Sequence, residues 1–486
     1  MKEYAAKQPS PWVSVLPLAV LTLLLYVVIR CFGGDAINGG SQIALLSATS
    51  VCVMLAIGIY RCKWAVLEEA IIDNIRASAS AIIILLLIGA IAGSWMVSGV
   101  VPTMIYYGLK ILHPSFFLVA SCAICAGVSL MTGSSWTTIA TIGVALKGIG
   151  QAMGFPEGWI AGAIISGAYF GDKISLLSDT TVLASSTVGV PIFTHIRYML
   201  YTTVPSFVIA LAVFVIAGLT LDHTGGTHAG MYADSLRGTF RITPWLLAVP
   251  VATGVLIVRK LPAIVTLFCA AVFACIAMLL AQPELVAKVA GVGGLDFMSG
   301  FKGVLMSCFG PTAIPTGSPQ LDELVATRGM AGMLNTVWLI ICAMCFGGVM
   351  TGSGMLGALT SVFLRFVRRA FSAVASTVGA GIFFNLCTAD QYISIILSGR
   401  LFRELYAEQG LEPRLLSRSV EDSATVCSVL VPWNSCGMTQ ATVLGVSTFV
   451  YMPYCIFNIV SPLMSLAVAA IGWKIKRAAG TAAHPH

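Results

Sequence analysis

Long apolar runs separated by short polar punctuation set the plan of the chain. Stretches such as 12–31 and 195–219 are each long enough to cross a bilayer as a helix, and they recur from end to end. Two segments depart from this rhythm. Over 116–149 and 371–404 the apolar pattern is interrupted by the polar centres "MTGSSWTT" and "NLCTADQY". A straight helix over the first would measure ~51 Å, against a hydrocarbon core of ~30 Å. The pattern predicts a re-entrant hairpin in each, two helical limbs meeting at a polar tip near the midplane, because irregular backbone survives there only against protein or a cavity. Two further spans, about 159–190 and about 419–447, contain "SGAYFGDKISLLSDTTV" and "EDSATVCSVLVPWNSCGMTQ", and both read as discontinuous helices.

Sliding the sequence along itself by about 255 residues brings separate places into register. Gly93, Ser98 and Gly99 fall on Gly348, Ser353 and Gly354, and Thr132 and Ser134 fall on Thr388 and Asp390. Gly189, Val190, Phe193 and Tyr198 fall on Gly445, Val446, Phe449 and Tyr454. Two repeats follow, 1–243 and 244–486. Each is expected to contain two spans, an amphipathic connector, a third span, a hairpin, a broken helix and a closing span. The first connector is placed over 61–80, with Glu68, Glu69, Asp73 and Arg76, and the second within 297–332. If each hairpin returns to its own side, each half crosses an odd number of times and the repeats are inverted.

Composition narrows the class. Of 486 residues, 58% are hydrophobic and 10% charged, and the mean hydropathy is +0.93. Those charges are too few to solvate a globular surface, so the chain reads as an all-α polytopic membrane protein. Its 48 glycines and 20 prolines fit a helical bundle with irregular backbone better than a β-barrel. The net charge of +7 comes from basic residues beside helix ends, such as Arg365, Arg368 and Arg369. That is a positive-inside pattern, with both termini cytoplasmic, and not a nucleic-acid surface. The first span follows Lys2 and Lys7 but runs longer than a signal peptide's apolar region and lacks a small-residue cleavage site, so it is kept as a span. The 14 cysteines are scattered, and the pairs Cys122/Cys125 and Cys342/Cys345 lie in apolar runs without histidine, which makes them packing residues.

The chemistry gathers where ionisable and hydroxyl groups interrupt the spans. Asp172 and Asp179 are spaced to share one helix face, or to come closer if the segment unwinds, and are the candidate ligands of a metal cation. The wider set of ion- and proton-binding candidates adds Thr132, Ser134, Ser135, Ser175, Thr180, Asn385, Thr388, Asp390, Asp422 and Asn434. Lys173 is the expected charge partner of Asp172 or Asp179. Burial disfavours the charged form of a carboxylate and a nearby cation restores it, so such a group holds a proton or a metal cation in alternation.

The stretches "TGSSWTT", "SGAYFGDKISLLSDTT" and "SRSVEDSATVCSVLVPWNSCG" resemble signature segments of the NhaC-type sodium/proton antiporters, within the ion transporter superfamily of inverted-repeat carriers. The likeness runs from near Glu68 to Pro462. It departs at Leu176 and Val429, where the family places proline after Ser175 and Ser428. The resemblance implies secondary active exchange of Na⁺ for H⁺ in a bacterial inner membrane, with these ions as cargo and no cofactor. An alternative within the same family is Na⁺/H⁺-coupled exchange of a small organic anion such as malate or lactate. The partners expected are the lipid bilayer and the transported solutes, without nucleic acid, and the reading leaves room for a homodimer. An enzyme is not expected: Gly171 and Asp172 lack the full G-x-G-D of intramembrane aspartyl proteases.

Overall fold

Residues rich in Ala, Leu, Ile and Val form helices almost throughout the computed structural model. It describes residues 9–32, 38–221, 227–259, 261–294, 296–317, 322, 325–364, 367 and 369–475, with 227–229 described by backbone alone. Lys2, Lys7, Arg365 and Arg368 lie outside the described residues. Among the described residues there is no β-strand, only an isolated bridge between Thr312 and Thr327. Eight helices are long and apolar enough to cross a membrane, or up to 11 if each of three bent pairs is one span. The protein is therefore an all-α, multi-pass membrane protein.

One expectation is corrected at once. The connector placed over 61–80 is not a separate element but the first turns of a single 34-residue helix, Trp64–Val97. No glycine or proline occurs between Trp64 and Ile88 to stop it, and Ala, Leu and Glu propagate it. Its counterpart does break up. Helix Phe297–Phe309 gives way to non-helical backbone around Pro311, Pro315 and Gly317, and helix resumes at Leu334–Gly352.

Elsewhere the same local devices recur in both halves. Helix Trp64–Val97 ends at Ser98 and Gly99, helix Leu334–Gly352 at Ser353 and Gly354, and both glycines take a left-handed φ, 82° and 76°. In the first half, helix Phe117–Thr132 turns at Gly133 (φ 66°) into a second limb over 135–152. In the second, helix Ala370–Thr388 turns at Ala389 (φ 56°) into Gln391–Glu408. With 3.6-residue turns rising 1.5 Å per residue, these limbs measure roughly 24–29 Å.

The first broken helix comprises Glu157–Ile174 and Asp179–Val188, bent by 46°. Leu176 in place of proline does not prevent the break, because Ser175 already leaves the helix in an extended conformation. In the second, helix Pro413–Val420 runs into a π-turn, Glu421–Thr425, and after an interruption at Val431 to Asn434 resumes as Ser435–Leu444. Small residues let these parts meet closely. A methyl group at Gly167 would overlap the carbonyl of Cys122 and one at Gly171 that of Ala126, so the first limb lies directly on the helix that presents Asp172.

The halves also reach across each other. A methyl at Gly189, the left-handed cap of Asp179–Val188, would stand 3.3 Å from a guanidinium nitrogen of Arg403 on the second hairpin. A methyl at Gly445, capping Ser435–Leu444, would stand 3.3 Å from Lys147 Nζ on the first. Each cation sits where a helix C-terminus carries partial negative charge.

Candidate functional site

The first hairpin tip is built by its own backbone needs. Ser134 caps the second limb by accepting the Thr137 amide proton (3.2 Å), and the Ser134 amide donates to the Thr132 hydroxyl (3.1 Å). This ordering presents the Ser135 N–H and hydroxyl outward from the start of the limb, where helix partial charge is positive. Both groups donate to Asp172 Oδ2, at 3.1 and 2.7 Å. Asp172 is 7% exposed. A buried carboxylate thus faces a helix N-terminus, a constellation suited to holding negative charge inside protein.

The break in the first broken helix is packed against this tip. Ser175 donates to the Leu130 carbonyl (2.8 Å), the Ser178 and Thr180 hydroxyls lie 3.0 Å apart, and Thr181 donates to the Lys173 carbonyl (3.0 Å). Asp172 and Asp179 do not share one helix face, because the helix stops at Ile174 and restarts at Asp179. Asp172 is buried, whereas the Asp179 side chain is exposed at the first position of its half-helix.

The second tip repeats the architecture with different chemistry. Asp390 caps its limb by accepting the Ile393 N–H (3.0 Å) and also accepts the Ser435 hydroxyl (3.2 Å). Thr388 donates to the Asp390 carbonyl (3.1 Å). Asn385 donates to the Ala424 carbonyl (2.7 Å), and Asn434 donates to Asn385 Oδ1 (3.2 Å) while capping Cys436 (3.0 Å). Thr132, Ser134, Ser135, Asp172, Ser175 and Thr180 accordingly belong to the first tip and its break, and Asn385, Thr388, Asp390 and Asn434 to the second. Tyr392, the second residue of the second hairpin's limb, feels the charges of Asp172, Asp179 and Asp390.

Asp422 and Lys173 stand elsewhere than expected. Lys173 pairs with Asp422 of the other half, not with Asp172 or Asp179, and also donates to Ser461 (2.9 Å). The cause is direction: Lys173 lies one residue beyond Asp172 and projects from another side of the helix. Thr202 donates to the same Asp422 oxygen (3.1 Å), and Arg418 Nε lies 3.9 Å from Asp422 Oδ2 with its guanidinium over the Tyr198 ring (4.7 Å). Lys173, Arg418, Glu421 and Asp422 are all fully buried. The sequence reading passed over Glu421 and Tyr392 as site residues. The signal for the first was two adjacent carboxylates in an apolar span.

A cavity of about 880 Å³ opens beside the second break, lined among others by Pro432, Trp433, Thr336, Lys147, Arg328 and Glu157. Among the described residues no three His, Cys, Asp or Glu side chains are grouped to hold a metal ion.

Buried carboxylates at hairpin tips and broken helices define a polytopic membrane transporter. Residues 167–473 match the model of the Na+/H+ antiporter family. The chain is 35% identical over 425 residues to the Na(+)/H(+) antiporter NhaC of Alkalihalophilus pseudofirmus, covering 87% of this chain and 89% of that protein. It is 35% identical to the malate-2H(+)/Na(+)-lactate antiporter of Bacillus subtilis, covering 89% and 88%. It is 33% identical to the arginine/ornithine antiporter ArcD of Halobacterium salinarum, covering 96% and 93%. The chain belongs to the Na+/H+ antiporter family.

Proposed function

We propose that the protein is a secondary active transporter exchanging Na⁺ for H⁺ across a bacterial inner membrane, with Asp172 as the group that trades one ion for the other. The observation that carries this reading is the buried Asp172 carboxylate set against the Ser135 N–H and hydroxyl at a helix N-terminus. Those donors, with the Ser178 hydroxyl beside them, stabilise the ionised form, which can then hold a cation. Na⁺ there draws on Asp172 and nearby oxygens of Thr132, Ser134, Ser135, Ser175 and Thr180. When Na⁺ leaves, a proton neutralises the carboxylate, so both ions do not occupy it together. Asp179, at the rim of the same break, is the entry ligand. Asp390, Thr388, Asn385 and Asn434 line the second tip.

In this reading the halves 1–243 and 244–486 are inverted, both termini are cytoplasmic, and the tips and broken helices move against the flanking spans. The protein works in the bilayer, as a monomer or a homodimer, without a cofactor or an enzymatic step. The test is a dye-monitored pH gradient in inverted vesicles. A Na⁺ pulse should collapse the gradient with the wild-type protein and fail with Asp172→Asn. Equal collapse in both removes Asp172 from the mechanism.

The cavity beside Trp433 favours a second reading, a Na⁺- and H⁺-coupled carrier of a small organic anion. Its volume falls within the range of ligand pockets, and its lining includes Lys147 and Arg328 against one carboxylate, Glu157. Proteoliposomes separate the two readings. Cation exchange without organic solute supports the first, and exchange appearing only with malate or lactate on the opposite side supports the second.

A further inference from the structure

Glu421 is the buried ionisable group that the exchange at Asp172 leaves unused. Its side chain is fully buried, it opens the π-turn Glu421–Thr425, and neither carboxylate oxygen has a hydrogen-bond partner. Single π-turns inside α-helices cluster at functional sites because they turn side chains out of the regular register. An ionised carboxylate without partners in a protein interior is strongly disfavoured, so some positive charge must accompany it.

The resident cations are paired elsewhere, although the Lys173 charge also acts on Glu421. Lys173, from the first broken helix, contacts Asp422 and Ser461. Arg418, one turn earlier on the same helix, faces Asp422 and the Tyr198 ring. The remaining titratable groups around the turn are His195 on the closing span of the first half, whose Nδ1 lies 2.8 Å from the Ser417 hydroxyl, Tyr406 on the second hairpin, bonded to Thr377 (3.0 Å), and Asp172 across the repeat interface. No ion pair joins any of them to Glu421 among the described residues. The Thr425 hydroxyl, one turn along, and the Thr180 hydroxyl of the first broken helix lie close to the same carboxyl and gather a small set of oxygens around it.

We propose that Glu421 is a second station for a transported monovalent cation, H⁺ or Na⁺, distinct from the Asp172 tip. The proposal rests on the cation-exchange reading and goes beyond it.

The experiment uses purified wild-type protein, Glu421→Gln and Glu421→Asp in proteoliposomes and in detergent. Glu421→Gln mimics the neutral carboxyl. It should fold with the wild-type melting temperature and still be stabilised by Na⁺ at Asp172, yet lose roughly tenfold or more of its Na⁺-driven H⁺ flux. Glu421→Asp should recover part of that flux. Equilibrium binding separates the two cations. If the station takes Na⁺, the variant binds one equivalent less at saturation, and if it takes H⁺, Na⁺ binding is unchanged while proton release on Na⁺ binding falls. Wild-type flux and pH profile in Glu421→Gln overturn the proposal. So does a lowered melting temperature with Na⁺ stabilisation lost and no rescue by Asp, which marks a static counter-charge. Absence of Na⁺-driven H⁺ flux in the wild-type protein defeats the exchange reading itself, and this proposal with it.

Discussion

The two hairpin tips share a backbone and differ in where the charge sits. Gly133 and Ala389 make the same left-handed turn, Ser134 and Asp390 cap the same limb, and Thr132 and Thr388 bond to the same following residue. Ser135 meets Asp172 at 2.7 Å, and at the same offset Gln391 accepts from Ser428 at 3.3 Å. One contact is hydroxyl to carboxylate and the other hydroxyl to amide. The second tip instead places its carboxylate on the cap, Asp390, where the limb's own amide and Ser435 satisfy it. The two tips therefore share a backbone design, while the carboxylate nearest the turn stands on the broken helix at the first, as Asp172, and on the cap at the second, as Asp390.

The largest expected break in this equivalence comes from Asp172→Asn, which should lower Na⁺-driven H⁺ flux by roughly a hundredfold, while Ser428→Ala changes it by less than about twofold. Vesicle fluorescence measures both. Comparable losses would make the tips equivalent. The Lys173–Asp422 pair has no counterpart, since the corresponding positions are Val429 and Ser166. Lys173→Met should destabilise the detergent-solubilised protein by about 3–5 kcal/mol, and adding Asp422→Asn should recover much of this, as read by thermal unfolding.

Gly133→Ala should cost more than the left-handed penalty of about 1–2 kcal/mol, because its methyl would overlap the Leu177 backbone. Ala389→Gly, at the matching turn, should keep wild-type flux. The smallest effect sharpens the caps: Ser134→Ala should cost about 1 kcal/mol by losing its bond to the Thr137 amide. Asp390→Ala should cost more, since Ser435 loses its acceptor as well.

The tips were readable in the sequence because their polar centres stood out against apolar surroundings, and the breaks because Ser, Asn and Pro collect there. The extent of helix Trp64–Val97 was not readable. Charged residues at its start imitate a surface connector, and the absence of a breaker is a weaker signal than the presence of one. The partner of Lys173 was hidden for another reason: Asp422 lies in the other half of the chain, and local spacing says nothing about which side of a helix faces a distant segment. Glu421 is not separable from Asp422 in the sequence, because adjacent carboxylates look alike until packing pairs one of them with Lys173.

Arg403 at Gly189 and Lys147 at Gly445 have a consequence for how the gene can be divided. Each half sets a basic side chain beside a helix end belonging to the other, much as two clasped hands hold each other's wrists. Cut into two polypeptides at 243/244, the protein should mature only in cells producing both pieces. Either fragment alone would insert with one unfinished terminus and be cleared by membrane proteases.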